Sequence, residues 1–138
     1  MTRFLIIACC CLTSLLCCGC FESSEELSSQ GALLIDLKRD WQGGKALFLQ
    51  ALEKDEKNAK AHKNLALVLI QENKTDEARK HLERAVELAP DYGEAHINLS
   101  LLYYADKQYD KAIEHMDLAV DAGFPVDMSY RDALQEHR

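Results

Sequence analysis

The side chains best suited to chemistry fall into two groups that never meet along the chain. All six cysteines (Cys9, Cys10, Cys11, Cys17, Cys18 and Cys20) lie in the first twenty residues, and the rest of the 138-residue chain has none. That excludes a thiolate nucleophile, a disulfide framework and a Cys-based metal site from the body of the chain. The histidines lie beyond them. His62 and His96 are separated by the same interval as His81 and His115. Imidazoles in such a pattern are either ligands and proton carriers brought together, or one position of a repeat written twice. Equivalent positions on stacked helices lie on the order of 8–10 Å apart or more, whereas zinc needs nitrogens at about 2.0–2.1 Å. Repetition is the reading the spacing supports, so no metal ion and no cofactor is expected. Glu77 precedes His81 by one helical turn, but Lys111 stands at the matching place before His115. The chain has no Gly-rich phosphate loop and no serine in a nucleophile turn. Its carboxylates fall on polar helix faces, and no catalytic residue is expected.

The elements that position the histidines carry the same 34-residue period. Ala59–Pro90 aligns on Gly93–Phe124 with matches at fixed offsets, among them Asn64 on Asn98, Leu65 on Leu99, Ala78 on Ala112 and Ala85 on Ala119. A period of this length marks stacked supersecondary units, none of which buries its apolar face alone. Apolar spacing predicts two helices per copy, at about 59–72 and 75–88, then about 93–106 and 109–122, with no strand pattern anywhere. Asn58 and Thr75 are helix-capping candidates, and Asp91 with Glu94 has capping-box spacing. Moving the frame back by one period starts a more divergent copy at Glu25, with Gly44 at the Ala78 position and Ala51 at the Ala85 position. Ser23 and Glu26 are spaced to cap its first helix. Gly43 and Gly44 weaken its second helix by roughly 1 kcal/mol each. Val126, Tyr130, Ala133 and Leu134 give the tail a helical spacing of its own.

Small residues recur at the eighth, twentieth and twenty-seventh positions of every copy: Ala32, Gly44, Ala51; Ala66, Ala78, Ala85; Ser100, Ala112, Ala119. Small side chains at these points let two antiparallel helices approach closely. Leu65, Leu99, Leu82, Met116, Tyr103 and Pro90 occupy further patterned positions. In these residues the chain resembles the tetratricopeptide repeat family. It departs at His62 and His96, where that family usually has Trp, at Glu56, where Pro is usual, and at Pro125, which is shifted by a single position. The resemblance implies an all-α solenoid over about 25–125, with three helix-turn-helix repeats at about 25–58, 59–92 and 93–125. A C-terminal capping helix at 126–138 would follow. It also implies a concave groove lined by the first helix of each pair. Here the lining would be Lys60, Lys63, Asn64, Leu67 and Ile70, then Glu94, Ile97, Asn98, Leu101 and Tyr104. Leu67, Ile70, Leu101 and Tyr104 are apolar, Asn64 and Asn98 can each serve a peptide backbone as donor and acceptor, and Lys60 with Lys63 adds positive charge. The implied partner is a protein: an apolar peptide or helix with an acidic flank.

The first twenty residues set location. Arg3 is followed by Phe4 to Cys18, an apolar run broken only by Thr13 and Ser14. It is short for a spanning helix, which takes about 20 residues, and suits a cleaved leader over 1–19. Leu15-Leu16-Cys17-Cys18-Gly19-Cys20 resembles a bacterial lipoprotein signal, which implies a diacylglycerol on Cys20, with Cys18 as the alternative, and a short tether over 20–30. Two acyl chains suffice for stable membrane attachment. Phe21, where that signal's inner-membrane form has Asp, implies the outer membrane, facing the periplasm. Formal net charge is −7, and Arg3 is the only charge in the first twenty residues, so the remainder carries −8. This excludes a general nucleic-acid binder, which needs a basic face. Together these features predict a lipid-anchored adaptor that binds a segment of a partner in the cell envelope, such as an assembly or pilot factor for a pilus or secretion machinery. The alternatives are a self-associating structural lipoprotein forming a homo-oligomer, and a secreted or signal-anchored repeat protein without lipid.

Overall fold

A computed structural model describes residues 22–138; Cys20 and the leader-like segment lie outside the described residues. Among the described residues there are seven helices: α1 (Ser24–Lys38), α2 (Trp41–Lys54), α3 (Ala59–Gln71), α4 (Thr75–Leu88), α5 (Gly93–Ala105), α6 (Tyr109–Asp121) and α7 (Met128–Gln135). Packing is densest within the pairs α1/α2, α3/α4 and α5/α6, and each pair packs on the next. The result is an all-α solenoid with a terminal helix.

Local chemistry explains most helix ends. Ser23 and Glu26 form a capping box on α1, and Asp40, Asn58 and Asp127 each accept a backbone N–H at the starts of α2, α3 and α7. The capping box expected of Asp91 and Glu94 does not form: Tyr92 is the N-cap of α5 and offers no side-chain acceptor. Glu94 is drawn instead across the repeat boundary to Lys63. Thr75 is likewise the first residue of α4, behind Lys74, rather than its cap. Arg39, Asn73 and Lys107, equivalent positions of the three repeats, have φ of 56°, 60° and 60°. Each turn between the helices of a pair therefore uses one left-handed residue to end the first helix.

The core is a column of paired positions. Leu65 and Leu82 fill the second repeat, Leu99 and Met116 the third, and all four are at most 2% exposed. Ala78, Ala85, Ala112 and Ala119 are 0% exposed where the helices meet. The first repeat keeps the frame but exchanges volumes: Gly31 stands where Leu65 and Leu99 stand, and Phe48 replaces Leu82. A Cβ at Gly31 would lie 2.6 Å from Phe48 Cε1, so the ring occupies the space a leucine would need.

Polar bonds repeat along the stack as well. Lys45 bridges to Glu72 at 2.8 Å, and Arg79, its equivalent in the next repeat, bridges to Asp106. Lys45 first, then Lys74 and Gln42, hold the Glu72 carboxyl down to about 2. Asn58 Nδ2 donates to Ser24 Oγ at 2.7 Å, and that hydroxyl donates to Ala51 O at 2.8 Å. In the tail, Leu134 is 0% exposed and lies one period after Ser100. The α7 helix thus stands where the first helix of a fourth repeat would, closing the apolar end of the stack.

Candidate functional site

The residues predicted to line a groove lie on α3 and α5, the first helices of their pairs, and the structure divides them into distinct sets. Leu67 and Leu101 remain accessible, the latter 47% exposed. Leu33, one repeat earlier, is 56% exposed, so the same position of all three first helices offers a leucine to solvent. Ile70, Ile97 and Tyr104 instead pack against the core. Tyr104 lies edge-on to Tyr109 and Tyr130, with centroids 5.6 Å away in both cases, and Ser100 Oγ is 2.7 Å from the Tyr130 hydroxyl. The α7 helix occupies that side of the third repeat.

The polar residues behave unequally. Lys60 donates to Ser29 Oγ at 3.3 Å. Lys63 is 7% exposed and its amine is 2.8 Å from Glu94 Oε1, so it does not supply the free positive charge expected of it. Asn64 is buried and donates to Ser28 Oγ at 3.4 Å. Asn98 is partly buried and makes no side-chain hydrogen bond among the described residues, which leaves its amide open to a ligand.

A cleft of about 360 Å³ opens between the first two repeats. Ala32, Ile35 and Leu67 form its sides, Trp41 contributes an aromatic wall, and the buried Phe48 borders it from the core. Asp36 and the Lys63–Glu94 pair stand around it, with Asn64 beside them. Lys63, Asn64, Leu67 and Glu94 are among the residues the sequence assigns to the groove. It does not single out Asp36, Trp41, Phe48 or Leu33, although Leu33 stands one period before Leu67 and Trp41 is the chain's only tryptophan. Burial first, and then the Glu94 carboxylate, push the nearby Tyr92 phenol up to about 12.

The histidines meet in a way the repeat spacing does not suggest. His62 does not approach His96; it meets His81 of its own repeat, Nδ1 to Nδ1 at 2.9 Å, and His96 meets His115 at 3.0 Å. His62 Nε2 faces Glu56 O at 3.0 Å and His96 Nε2 faces Pro90 O at 2.9 Å. A carbonyl only accepts, so Nε2 of His62 and of His96 carries a proton, and with those rings neutral Nδ1 of His81 and His115 is the donor in each pair. Centroid separations of 5.2 and 5.3 Å are near the largest that such short contacts allow, so the nitrogens point at each other. This is an N–H···N bond between paired helices, and it commits the Nδ1 lone pair of His62 and of His96. Among the described residues no third His, Cys, Asp or Glu joins either pair to make a metal cluster. Burial, then the facing His62 or His96, lowers the pKa of His81 and His115. Tyr103 stacks on His115 at 5.5 Å and donates to Glu83 Oε1 at 2.9 Å.

Helix pairs in one frame, closed by small residues and opening a groove on their first helices, define a helical-repeat solenoid. A family model for the tetratricopeptide repeat matches residues 38–91 and 65–125, and the chain belongs to that family. No curated protein sequence matched it. The TPR domain of Sgt2 from Aspergillus fumigatus is similar with a TM-score of 0.68 at 22% identity, over 82% of this chain and 75% of that one. Pseudomonas aeruginosa PilF gives 0.68 at 22% identity, over 75% of this chain and 47% of its own. The first TPR of Spaghetti (RPAP3), bound to the HSP90 peptide SRMEEVD, gives 0.71 at 15% identity, over 83% and 89%. The chain spans only 58% of the length of another similar structure, MamA. At these identities the likeness concerns the fold alone.

Proposed function

We propose that this protein is a non-catalytic adaptor whose concave groove holds a segment of a partner protein, and that it works in the cell envelope from a lipid on Cys20. The observation that carries the binding half is the row Leu33, Leu67 and Leu101. A solvated helix face has no reason to keep a leucine at the same position of three successive repeats, and the pair Leu33 and Leu101 is 56% and 47% exposed. Exposed apolar surface rimmed by polar groups marks interaction sites. Structural relatives support the mode: the first TPR of Spaghetti is bound to an HSP90 peptide, and the TPR2B domain of yeast Sti1 forms a complex with an Hsp70 peptide. The envelope half rests on sequence: the apolar run, Gly19 and Cys20. No helix among the described residues is long and apolar enough to cross a membrane.

The groove is tested by Leu67→Glu with Leu101→Glu. These positions disturb the core less than Tyr104, which packs against the tail. The variant keeps its helical circular dichroism and loses the partners that wild type retains after crosslinking on membranes. Partners retained by a folded variant would remove the groove from consideration. Mass spectrometry of the native amino terminus tests the anchor: a diacylated Cys20 is expected, and an unmodified Cys20 or an intact Met1 segment refutes it.

A further inference from the structure

The cleft between the first two repeats differs from its equivalent one repeat on, and the difference is chemical. Moving its lining forward by one period replaces Asp36 by Ile70, Lys63 by Ile97 and Glu94 by Met128, and the aromatics Trp41 and Phe48 by Thr75 and Leu82. The second position is apolar, with Ile70 and Ile97 packed on the core. The first holds an open, aromatic-walled cavity of about 360 Å³ with charge around it. That is near the lower bound of ligand pockets, roughly 300–1,000 Å³: room for one bulky side chain and its neighbours, not for a whole helix.

The surrounding charge is unequal. Lys63 is buried and spent on Glu94 at 2.8 Å. Asp36 is exposed and has no hydrogen bond or ion pair among the described residues, and Glu94 keeps a second oxygen and a side chain 43% exposed. One buried amine and two carboxylates thus border the cleft, on a chain of formal charge −7. Lys60, the other cation expected to serve the groove, is directed to Ser29.

We infer that the cleft is an anchor pocket for a partner segment carrying a bulky apolar residue next to a lysine or arginine: the apolar side chain enters between Trp41 and Leu67, and the cation sits between Asp36 and Glu94. The inference rests on the groove reading above and reverses the flank the sequence suggested, from acidic to basic. A peptide such as the acidic HSP90 segment bound by the first Spaghetti TPR is a poor match, because Lys63 is already neutralised by Glu94.

Trp41, the single tryptophan, provides the readout, since an occupant of the cleft must touch it. The probes are N-acetylated, C-amidated peptides on one Ser/Gly frame carrying Phe-Arg, Phe-Glu or Ser-Arg, titrated into the full chain. Phe-Arg is expected to shift Trp41 emission saturably and Phe-Glu to bind roughly threefold to tenfold more weakly, the worth of an exposed ion pair gained against one repelled. Ser-Arg should leave the emission unchanged. Asp36→Asn should bring Phe-Arg and Phe-Glu closer in affinity while Phe-Arg still binds. If Phe-Glu binds as well as Phe-Arg, the basic flank is wrong and the groove stands. If Ser-Arg binds as well as Phe-Arg, there is no apolar anchor. If no peptide moves Trp41, the pocket is overturned, and the fate of the groove is decided separately by the Leu67→Glu/Leu101→Glu crosslinking result.

Discussion

Gly31→Ala puts two opposing effects on one atom. A methyl in the middle of α1 gains roughly 1 kcal/mol of helix propensity. The site is closed, however: an added Cβ would lie 2.6 and 2.9 Å from Phe48 Cε1 and Cδ1, and 3.1 Å from Gly44 O. Phe48 is 1% exposed, so its ring has little room to swing. The backbone of α2 is also close, so the two helices must part slightly. Overpacking typically costs about 1–3 kcal/mol, and the net effect should be a loss on the order of 1 kcal/mol. For a domain of this size that lowers the melting temperature by roughly 4 °C. Phe48→Leu alone leaves a void beside Gly31 and destabilises the fold as well. With both changes the repeat approaches the volumes of its neighbours, and Gly31→Ala should become stabilising in the Phe48→Leu background. The coupling between the sites should then be about 1–2 kcal/mol. Urea unfolding of the four proteins, followed by far-ultraviolet circular dichroism, measures it. A Gly31→Ala change that stabilises the wild-type background, or two changes whose effects simply add, refutes the exchange of volumes.

Three further outcomes are expected. His81 and His115 have lowered pKa values when folded, so above the ordinary value of 6.5 both states are neutral and stability is highest. As pH falls below about 6.5 the unfolded chain takes up protons first, and stability declines until the folded imidazoles also protonate, with a slope of at most about 1.4 kcal/mol per pH unit for each histidine and less for groups half exposed. His81→Gln with His115→Gln should flatten the stability profile on the acid side of pH 6.5, as read by urea titrations; Glu72, held at about 2, acts only at lower pH, and an unchanged slope would reject the histidine pairs as its source. Lys107→Gly should stabilise by roughly 0.5 kcal/mol, because the left-handed backbone penalises a Cβ by more than glycine loses in unfolded-state entropy, whereas Asn73→Gly should be near neutral; a destabilised Lys107→Gly in urea unfolding contradicts the shared turn. Ala85→Leu, at a site 0% exposed, should cost about 1–3 kcal/mol by overpacking, and a wild-type melting temperature would mean that the helix register is wrong.

The frame was legible because packing repeats with a fixed period: the small residues at Ala66, Ala78 and Ala85 recur at Ser100, Ala112 and Ala119, and each sits where two helices touch. Asn58 was legible as a cap because its short side chain precedes an apolar periodic run. Asp91 and Glu94 had the same local spacing and did not cap α5, because Tyr92 is the N-cap and leaves Asp91 one residue outside it, while Glu94 pairs with Lys63, remote in sequence. The histidine pairs were hidden for a related reason. The separation of His62 from His81 is set by where the turn folds α4 back onto α3, not by the repeat period, which joins His62 only to His96. Gly31 carries no signal of its own in the sequence, since its volume relation to Phe48 spans two helices. For the groove, the sequence named which helices would carry it and could not show that Lys63 is spent on Glu94, or that the α7 helix packs around Tyr104.

These exceptions converge on one place. A repeat protein whose copies were identical would present the same surface at every junction and could select only by adding contacts. Here the second and third repeats keep ordinary leucine and methionine cores, and Ile70 and Ile97 at their junction pack on the core. The first repeat departs in the glycine that admits Phe48, in Trp41 and in the exposed Asp36, and the open cleft lies against these same elements. The ties between repeats, Lys45 to Glu72 and Arg79 to Asp106, join one helix pair to the next, and the first spans the same repeat boundary as the cleft, where it would preorganise the site. Preorganisation of that kind lowers the ordering cost of binding. Lys45→Met should therefore weaken the Phe-Arg peptide in a Trp41 titration, although Lys45 does not line the cleft, while Arg79→Met should lower stability and leave the peptide's affinity as it is. Equal affinities in the two variants would mean that the tie carries no part of the cleft's shape.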